Sequence, residues 1–308
     1  RGISLPARQM IRPDCSEGDF QGVVNSPRAV DHAAFAQHGH FRHWGEGMKV
    51  LSGCYILLLT VIAGIASAQV DDAKLSDVNN TQDWLGYGRT HFEQRFSPLT
   101  DIHVGNVSTL GVDWYVDLPE ATGLAATPLV ADGKMYFITS RNVVHAVNAT
   151  DGSPRWTYDP EVAKHTGNRM KASFLHGNRG VALWGDQVIF ATVDGRLIAL
   201  QAEDGKMLWS TQTTDPEQPL YISGAPKVFK DKVLIGNGGT ENGPSRGYVT
   251  AYHASTGKQA WRFYIVPGNP ADGFESDAME MAAKTWTGEW WKYGGGGNAW
   301  HGFTYDPQ

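Results

Sequence analysis

Residues 146–156 read AVNATDGSPRW, residues 199–209 read ALQAEDGKMLW, and residues 251–261 read AYHASTGKQAW. Each stretch has the form Ala-x-x-Ala-x-x-Gly-x-x-x-Trp, and the closing tryptophans Trp156, Trp209 and Trp261 lie 53 and 52 residues apart. A fixed period of that size means stacked copies of one supersecondary unit, not a single mixed core.

The segments between the copies fix the unit. Short apolar runs at 134–139 (KMYFIT), 143–147, 187–192 (QVIFAT), 196–200, 232–236 (KVLIG) and 248–252 are separated by turn pairs such as Asp132-Gly133 and Asp194-Gly195. Runs of that length, rich in β-branched and aromatic residues and closed by turn formers, are strands. Only 278–284 (AMEMAAK) has helical character, and it is short. Each period therefore predicts an antiparallel blade of about four strands, and blades arranged radially make an all-β propeller. The small residues let neighbouring blades approach, the glycine makes the turn, and the tryptophan covers the gap to the next blade. Those tryptophans are docking residues, not ligand stackers. Residues 69–308 hold between four and five such periods, and FTYDPQ at 303–308 begins a strand approach without a closing strand, so the chain is expected to be an N-terminal piece of a larger ring.

Composition narrows the function. With 26 Lys+Arg against 32 Asp+Glu the formal charge is −6, which disfavours nucleic-acid binding. Residues 48–68, MKVLSGCYILLLTVIAGIASA, combine a basic start, an apolar stretch and an Ala-Ser-Ala ending, the pattern of a secretory leader cleaved before Gln69. Its uninterrupted apolar run is shorter than the roughly 20 residues a membrane span needs. Residues 1–47 carry four of the eleven histidines but lack apolar periodicity. They are read as upstream sequence ahead of a true start at Met48, in preference to a metal-binding segment. Both cysteines, Cys15 and Cys54, fall before the cleavage point, so the mature chain is expected to hold no disulfide.

Three stretches carry chemistry. GNGGTENGPSRG at 236–247 is a glycine-dense turn with Glu241 at its centre, preceded by Ser223-Gly224-Ala225-Pro226. WWKYGGGGNAW at 290–300 removes side chains ahead of Trp300, so that its indole could lie flat against a planar ligand. Gly177-Asn178-Arg179-Gly180 sets an arginine fork just before a strand, suited to a carboxylate. Singly these are a hairpin, a flexible loop and a surface arginine. Jointly they suit an anionic polycyclic cofactor held with a hard divalent cation.

Residues 83–308 resemble the quinoprotein alcohol dehydrogenases, which use pyrroloquinoline quinone (PQQ) and Ca²⁺ on an eight-bladed propeller. The resemblance is carried by Asp83-Trp84-Leu85-x-Tyr87-Gly88-Arg89, Arg95-Phe96-Ser97-Pro98-Leu99, the three Trp repeats, Asn178-Arg179-Gly180, Gly238-Gly239-Thr240-Glu241 and Gly295–Trp300 in the family's order. It implies that Trp300 forms one face of the PQQ sandwich and that Arg179 pairs with a PQQ carboxylate. Ser223 and the backbone of Gly238, Gly239 and Thr240 would bond the polar edge, and Glu241 would ligate Ca²⁺. It further implies periplasmic oxidation of alcohols or polyols by hydride transfer to PQQ, with electrons passed to a cytochrome c or a quinone. The sequence departs from the pattern where adjacent cysteines often cover the second PQQ face, here Ser173-Phe174, and where a glutamate often stands, here Ala125. A second calcium ligand and the catalytic aspartate have no counterpart before Gln308, so no catalytic residue is assigned and the piece alone is expected to be inactive. The alternative is a non-enzymatic propeller scaffold of the bacterial envelope, which has no need of Arg179, Glu241 and Trp300 in register. A propeller hydrolase or lectin lacks a matching nucleophile or sugar pattern.

Overall fold

The computed structural model describes residues 69–118, 121–166, 177–294, 296–300 and 302–306. These lie in one compact unit, Ile62–Gln308. The segment 1–47, the leader 48–68, both cysteines, Ser173, Phe174 and Gly295 lie outside the described residues.

Three four-stranded antiparallel sheets follow one another along the chain, each a meander in sequence order. The first comprises β1 (Leu129–Ala131), β2 (Lys134–Ile138), β3 (Val144–Asn148) and β4 (Pro154–Tyr158). The second comprises β5 (Ala182–Trp184), β6 (Gln187–Ala191), β7 (Arg196–Gln201) and β8 (Met207–Gln212). The third comprises β9 (Lys227–Phe229), β10 (Lys232–Gly236), β11 (Tyr248–His253) and β12 (Gln259–Tyr264). These are consecutive blades of a propeller. Dividing length by period suggests four to five units, whereas the described residues complete three four-stranded sheets. The stretches before Leu129 and after Tyr264 run as loops, isolated bridges and short helices instead, among them α1 (Asp72–Ser76) and α2 (Asp277–Ala283).

The middle blade is buried on both faces, which is why its strands read as unbroken apolar runs. Val188, Phe190, Ile198 and Leu200 pack toward the first blade with Leu129, Ile138 and Val144. Their alternating neighbours Ile189, Ala191, Leu197 and Ala199 pack toward the third with Val228, Val233 and Ile235. The outermost strands alternate exposed and half-buried positions, as in Met207–Gln212.

The recurring residues of the repeat have geometric roles. Its first alanine (Ala146, Ala199, Ala251) is fully buried and pairs across the ladder with the tryptophan of the same repeat. A register shift follows each of these alanines and turns the chain into the next bend. The glycines Gly152, Gly205 and Gly257 hold φ of 69°, 73° and 67°, a left-handed conformation that glycine adopts without a Cβ penalty. Trp156 Nε1 donates to the carbonyl of Ala202 at 3.0 Å, and Trp209 Nε1 to that of Ala254 at 2.9 Å, each being the second alanine of the following repeat. A Cβ on Gly205 would stand 2.7 Å from the Trp156 ring, and one on Gly257 2.5 Å from Trp209. The docking role expected of the tryptophans is thus met by Trp156 and Trp209, whereas Trp261, on the outermost strand of the third sheet, is 45 % exposed. The same geometry exposes a third docking residue outside the pattern: Trp114 lies on Gly152, 2.6 Å from where a Cβ would be.

Candidate functional site

Each blade is entered by an extended segment, and these segments hydrogen-bond side by side. Thr127 N donates to Arg179 O (3.1 Å), and Arg179 N donates to Ser223 O (3.0 Å). Three consecutive blades are tied together where their first strands begin, and Arg179 is the middle strand of that tie. Its neighbour Asn178, fully buried, donates through Nδ2 to Ala191 O (2.8 Å) and accepts from Gly180 N (3.0 Å). The backbone beneath Arg179 is therefore held on both sides. Its guanidinium Nη1 donates to Ser223 Oγ (2.7 Å) and Ser223 O (3.1 Å), and Cζ lies 4.8 Å from the centroid of Trp300, within cation–π range.

Trp300 reaches this place because two glycines clear the way. A Cβ on Gly236 would fall 1.9 Å from Ala299 O, and one on Gly247 1.7 Å from Gly297 O. Segment 296–300 accordingly lies directly on the backbone at the end of the β10–β11 hairpin, leaving Trp300 47 % exposed.

The same hairpin carries Glu241. Asn237, fully buried, braces the loop by accepting from Tyr248 N (3.0 Å). Gly239 takes φ of 97°, where a Cβ would meet Pro219 O at 2.2 Å. The Glu241 carboxylate accepts from Tyr221 Oη at Oε1 (3.0 Å), and from Gly239 N and Asn298 Nδ2 at Oε2 (both 3.0 Å). Thr240 Oγ1 donates to Asn298 Oδ1 (2.7 Å). Partial burial pushes the Glu241 acid upward, but donation from its own amide, Asn298, Tyr221 and Gly239 outweighs it and holds the group below the ordinary glutamate value. The Tyr221 phenol is raised, first by burial and then by its bond to Glu241.

All seven sequence-derived positions therefore meet: Arg179, Ser223, Gly238, Gly239, Thr240, Glu241 and Trp300. Two of them work differently from the expectation. Gly238 N donates to Tyr221 O (2.9 Å) and Gly239 N to Glu241, so these amides are engaged within the protein and do not stand free as donors for a ring edge. The glycines shape the wall: a Cβ on Gly238 would lie 2.7 Å from the Tyr221 ring. Ala125, exposed, lies two residues before the Thr127 tie. Tyr221 and Asn298 escaped sequence reading. Their one local signal is proximity, two residues before Ser223 and two before Trp300.

The donor chemistry fits both expected groups in part. A stacking indole, an arginine fork and a glycine-cleared wall suit a flat anionic ring system. Ca²⁺ takes six to eight oxygens. Among the described residues no group of three His, Cys, Asp or Glu gathers to hold a metal, so Glu241 is one oxygen ligand of a set that other groups must complete.

Fold and site together define a run of consecutive β-propeller blades with a polar and aromatic cluster where the blades begin. The family model for PQQ-type glucose/ethanol/alcohol dehydrogenase, β-propeller domain, matches residues 84–308. The chain belongs to this family. It is 52 % identical over 255 residues to quinohemoprotein alcohol dehydrogenase ADH IIB of Pseudomonas putida, covering 82 % of this chain and 36 % of that protein. Quinohemoprotein alcohol dehydrogenase ADHIIG of Pseudomonas putida HK5 superposes with a TM-score of 0.73 at 45 % identity, over 79 % of this chain and 35 % of the other. A europium-containing methanol dehydrogenase superposes at 0.66 with 32 % identity, over 75 % and 41 % respectively. The chain thus spans little more than a third of the length of these relatives. Among the described residues no helix is long and apolar enough to cross a membrane.

Proposed function

We propose that the protein carrying this chain oxidises alcohols or polyols to aldehydes or ketones with PQQ and Ca²⁺, and passes the electrons to a cytochrome c or a quinone. We place it in the periplasm, exported on the leader 48–68. The observation that carries the reading is the convergence of Arg179, Trp300 and Glu241 on one wall, with Asn298 joining the carboxylate to the indole segment. Family membership and the alcohol dehydrogenases among its relatives support the chemistry. A solved relative that holds europium, a hard oxygen-seeking ion, supports a metal of the Ca²⁺ type.

When bound, PQQ would supply the two-electron acceptor and Ca²⁺ the Lewis acid that polarises it. The chain's own residues bind and orient. Trp300 offers an open indole face on which a planar ring can stack. Arg179 brings a fixed positive charge whose direction is set by Ser223 and suits a carboxylate. Glu241, held ionised by its hydrogen-bond donors, presents negative charge for a cation.

Reconstitution of the protein bearing this chain with PQQ and Ca²⁺, followed by dye-linked oxidation, tests the reading. Turnover of primary or secondary alcohols or polyols is expected. Failure across all three classes in a folded, PQQ-loaded sample would remove it.

A further inference from the structure

Glu241 is an exposed side chain on a turn, yet its carboxylate makes three hydrogen bonds to three separate pieces of chain. Tyr221 comes from the segment entering the third blade and is buried at 9 % exposure, with its backbone fixed to Gly238 in both directions. Gly239 comes from the turn itself. Asn298 comes from the segment that ends in Trp300, and its side-chain oxygen accepts from Thr240 while its nitrogen donates to Glu241. Asn298 therefore spans residues 240 and 241 on one side and the Trp300 segment on the other.

We propose that Tyr221 and Asn298 are positioning residues for the metal-binding carboxylate, and that Asn298 also couples it to Trp300, so that the metal arm and the stacking arm form one unit. The inference rests on Glu241 being a metal ligand. An unheld glutamate on an exposed turn must give up side-chain freedom to bind a cation. Here Tyr221 and Asn298 restrict the carboxylate beforehand. Their donated bonds also draw negative charge away from the oxygens, which works against cation binding. Partners that hold metal ligands typically contribute 10–100-fold in affinity, so restriction outweighs charge withdrawal. The two residues differ in reach. Tyr221 touches only the carboxylate side, whereas Asn298 alone also ties down the segment bearing the indole.

The test uses the complete protein, with Tb³⁺ as a luminescent probe excited through nearby aromatic rings and Ca²⁺ as competitor. Tyr221→Phe keeps the buried ring and removes one donor; Asn298→Ser shortens the bridge. Each is expected to weaken Ca²⁺ about 10-fold or more, with binding recovered at raised Ca²⁺ and thermal unfolding near wild type. Asn298→Ser is further expected to alter the part of the indole emission lost in Trp300→Phe, and Tyr221→Phe to leave it unchanged. Glu241→Ala is the control for the underlying reading. Wild-type Ca²⁺ affinity in Glu241→Ala would overturn the metal-ligand role itself. Loss there with wild-type affinity in both Tyr221→Phe and Asn298→Ser would overturn the positioning roles alone. An unchanged Trp300 signal in Asn298→Ser would overturn the coupling.

Discussion

At the scale of single residues, the site rests on groups whose identity is not interchangeable. Arg179 reaches the side chain and carbonyl of Ser223 while its planar head lies over Trp300. A lysine keeps the charge but has neither the fork nor the flat face. Arg179→Lys is therefore expected to weaken PQQ binding roughly 10- to 150-fold, as the loss of a charge-assisted hydrogen bond of ~1.5–3 kcal/mol implies. Trp300→Ala should weaken it by a smaller factor, roughly 2- to 10-fold from stacking alone, since stacking contributes ~0.5–1.5 kcal/mol beyond burial. Equilibrium dialysis of PQQ with saturating Ca²⁺ measures both, and wild-type retention in both variants would remove the carboxylate and stacking roles together. Arg179, Glu241 and Trp300 were legible in the sequence because each sits beside glycines in a short stretch. Tyr221 and Asn298 were not, because their partner Glu241 is 20 and 57 residues away and only the closed fold makes those neighbours.

At the scale of elements, the repeat was legible because one requirement recurs at one spacing: a buried alanine, a left-handed glycine and an indole that lands on the next glycine. The strands at 134–138, 187–191 and 232–236 were legible for a related reason, being short apolar runs between turn residues. Trp114 stayed hidden because the segment around it has the tryptophan without the alanines and glycine that would mark a repeat. The docking account separates two costs that usually travel together. Gly133 and Gly205 both hold positive φ, 72° and 73°, but a Cβ on Gly133 meets nothing within 4 Å, whereas one on Gly205 meets the Trp156 ring at 2.7 Å. Gly133→Ala should thus cost only the left-handed backbone penalty, ~1–2 kcal/mol. Gly205→Ala should cost that plus ~1–3 kcal/mol of overpacking at the blade junction. Urea denaturation of the two variants measures the difference, and equal losses would mean that the indole contact is not a tight docking constraint.

At the scale of the whole described unit, one irregular stretch crosses all three blades, and no periodicity announces it. Trp84 exchanges backbone hydrogen bonds with Val130 of the first blade (2.8 and 2.9 Å), and Val70 with Gly185 of the second (2.9 and 2.7 Å). Asp72 Oδ2 accepts from Lys230 N of the third blade (2.9 Å), and Glu93 pairs with Lys227. Inside this strap His91 is 1 % exposed, with Nε2 3.2 Å from Asp72 Oδ1 and Nδ1 without a hydrogen-bond partner among the described residues. That arrangement suits a neutral imidazole donating to Asp72; a second proton would be buried on Nδ1 without an acceptor. Burial and the positive charge of Lys227 lower the His91 pKa, and together they outweigh Asp72 and Glu93, which raise it. The sign of the pH effect follows. Above the unfolded value of about 6.5 both states are neutral and the stabilisation is complete. As pH falls below that value the unfolded chain takes up a proton that the folded chain resists, so stability is lost until the lower folded pKa is crossed. Melting temperature should therefore fall between pH 7 and pH 5. In His91→Gln, which cannot titrate, the fall should be smaller by the histidine's share, whatever its starting stability. Parallel pH slopes for the two proteins would show that His91 takes up its proton as readily in the folded strap as in the unfolded chain.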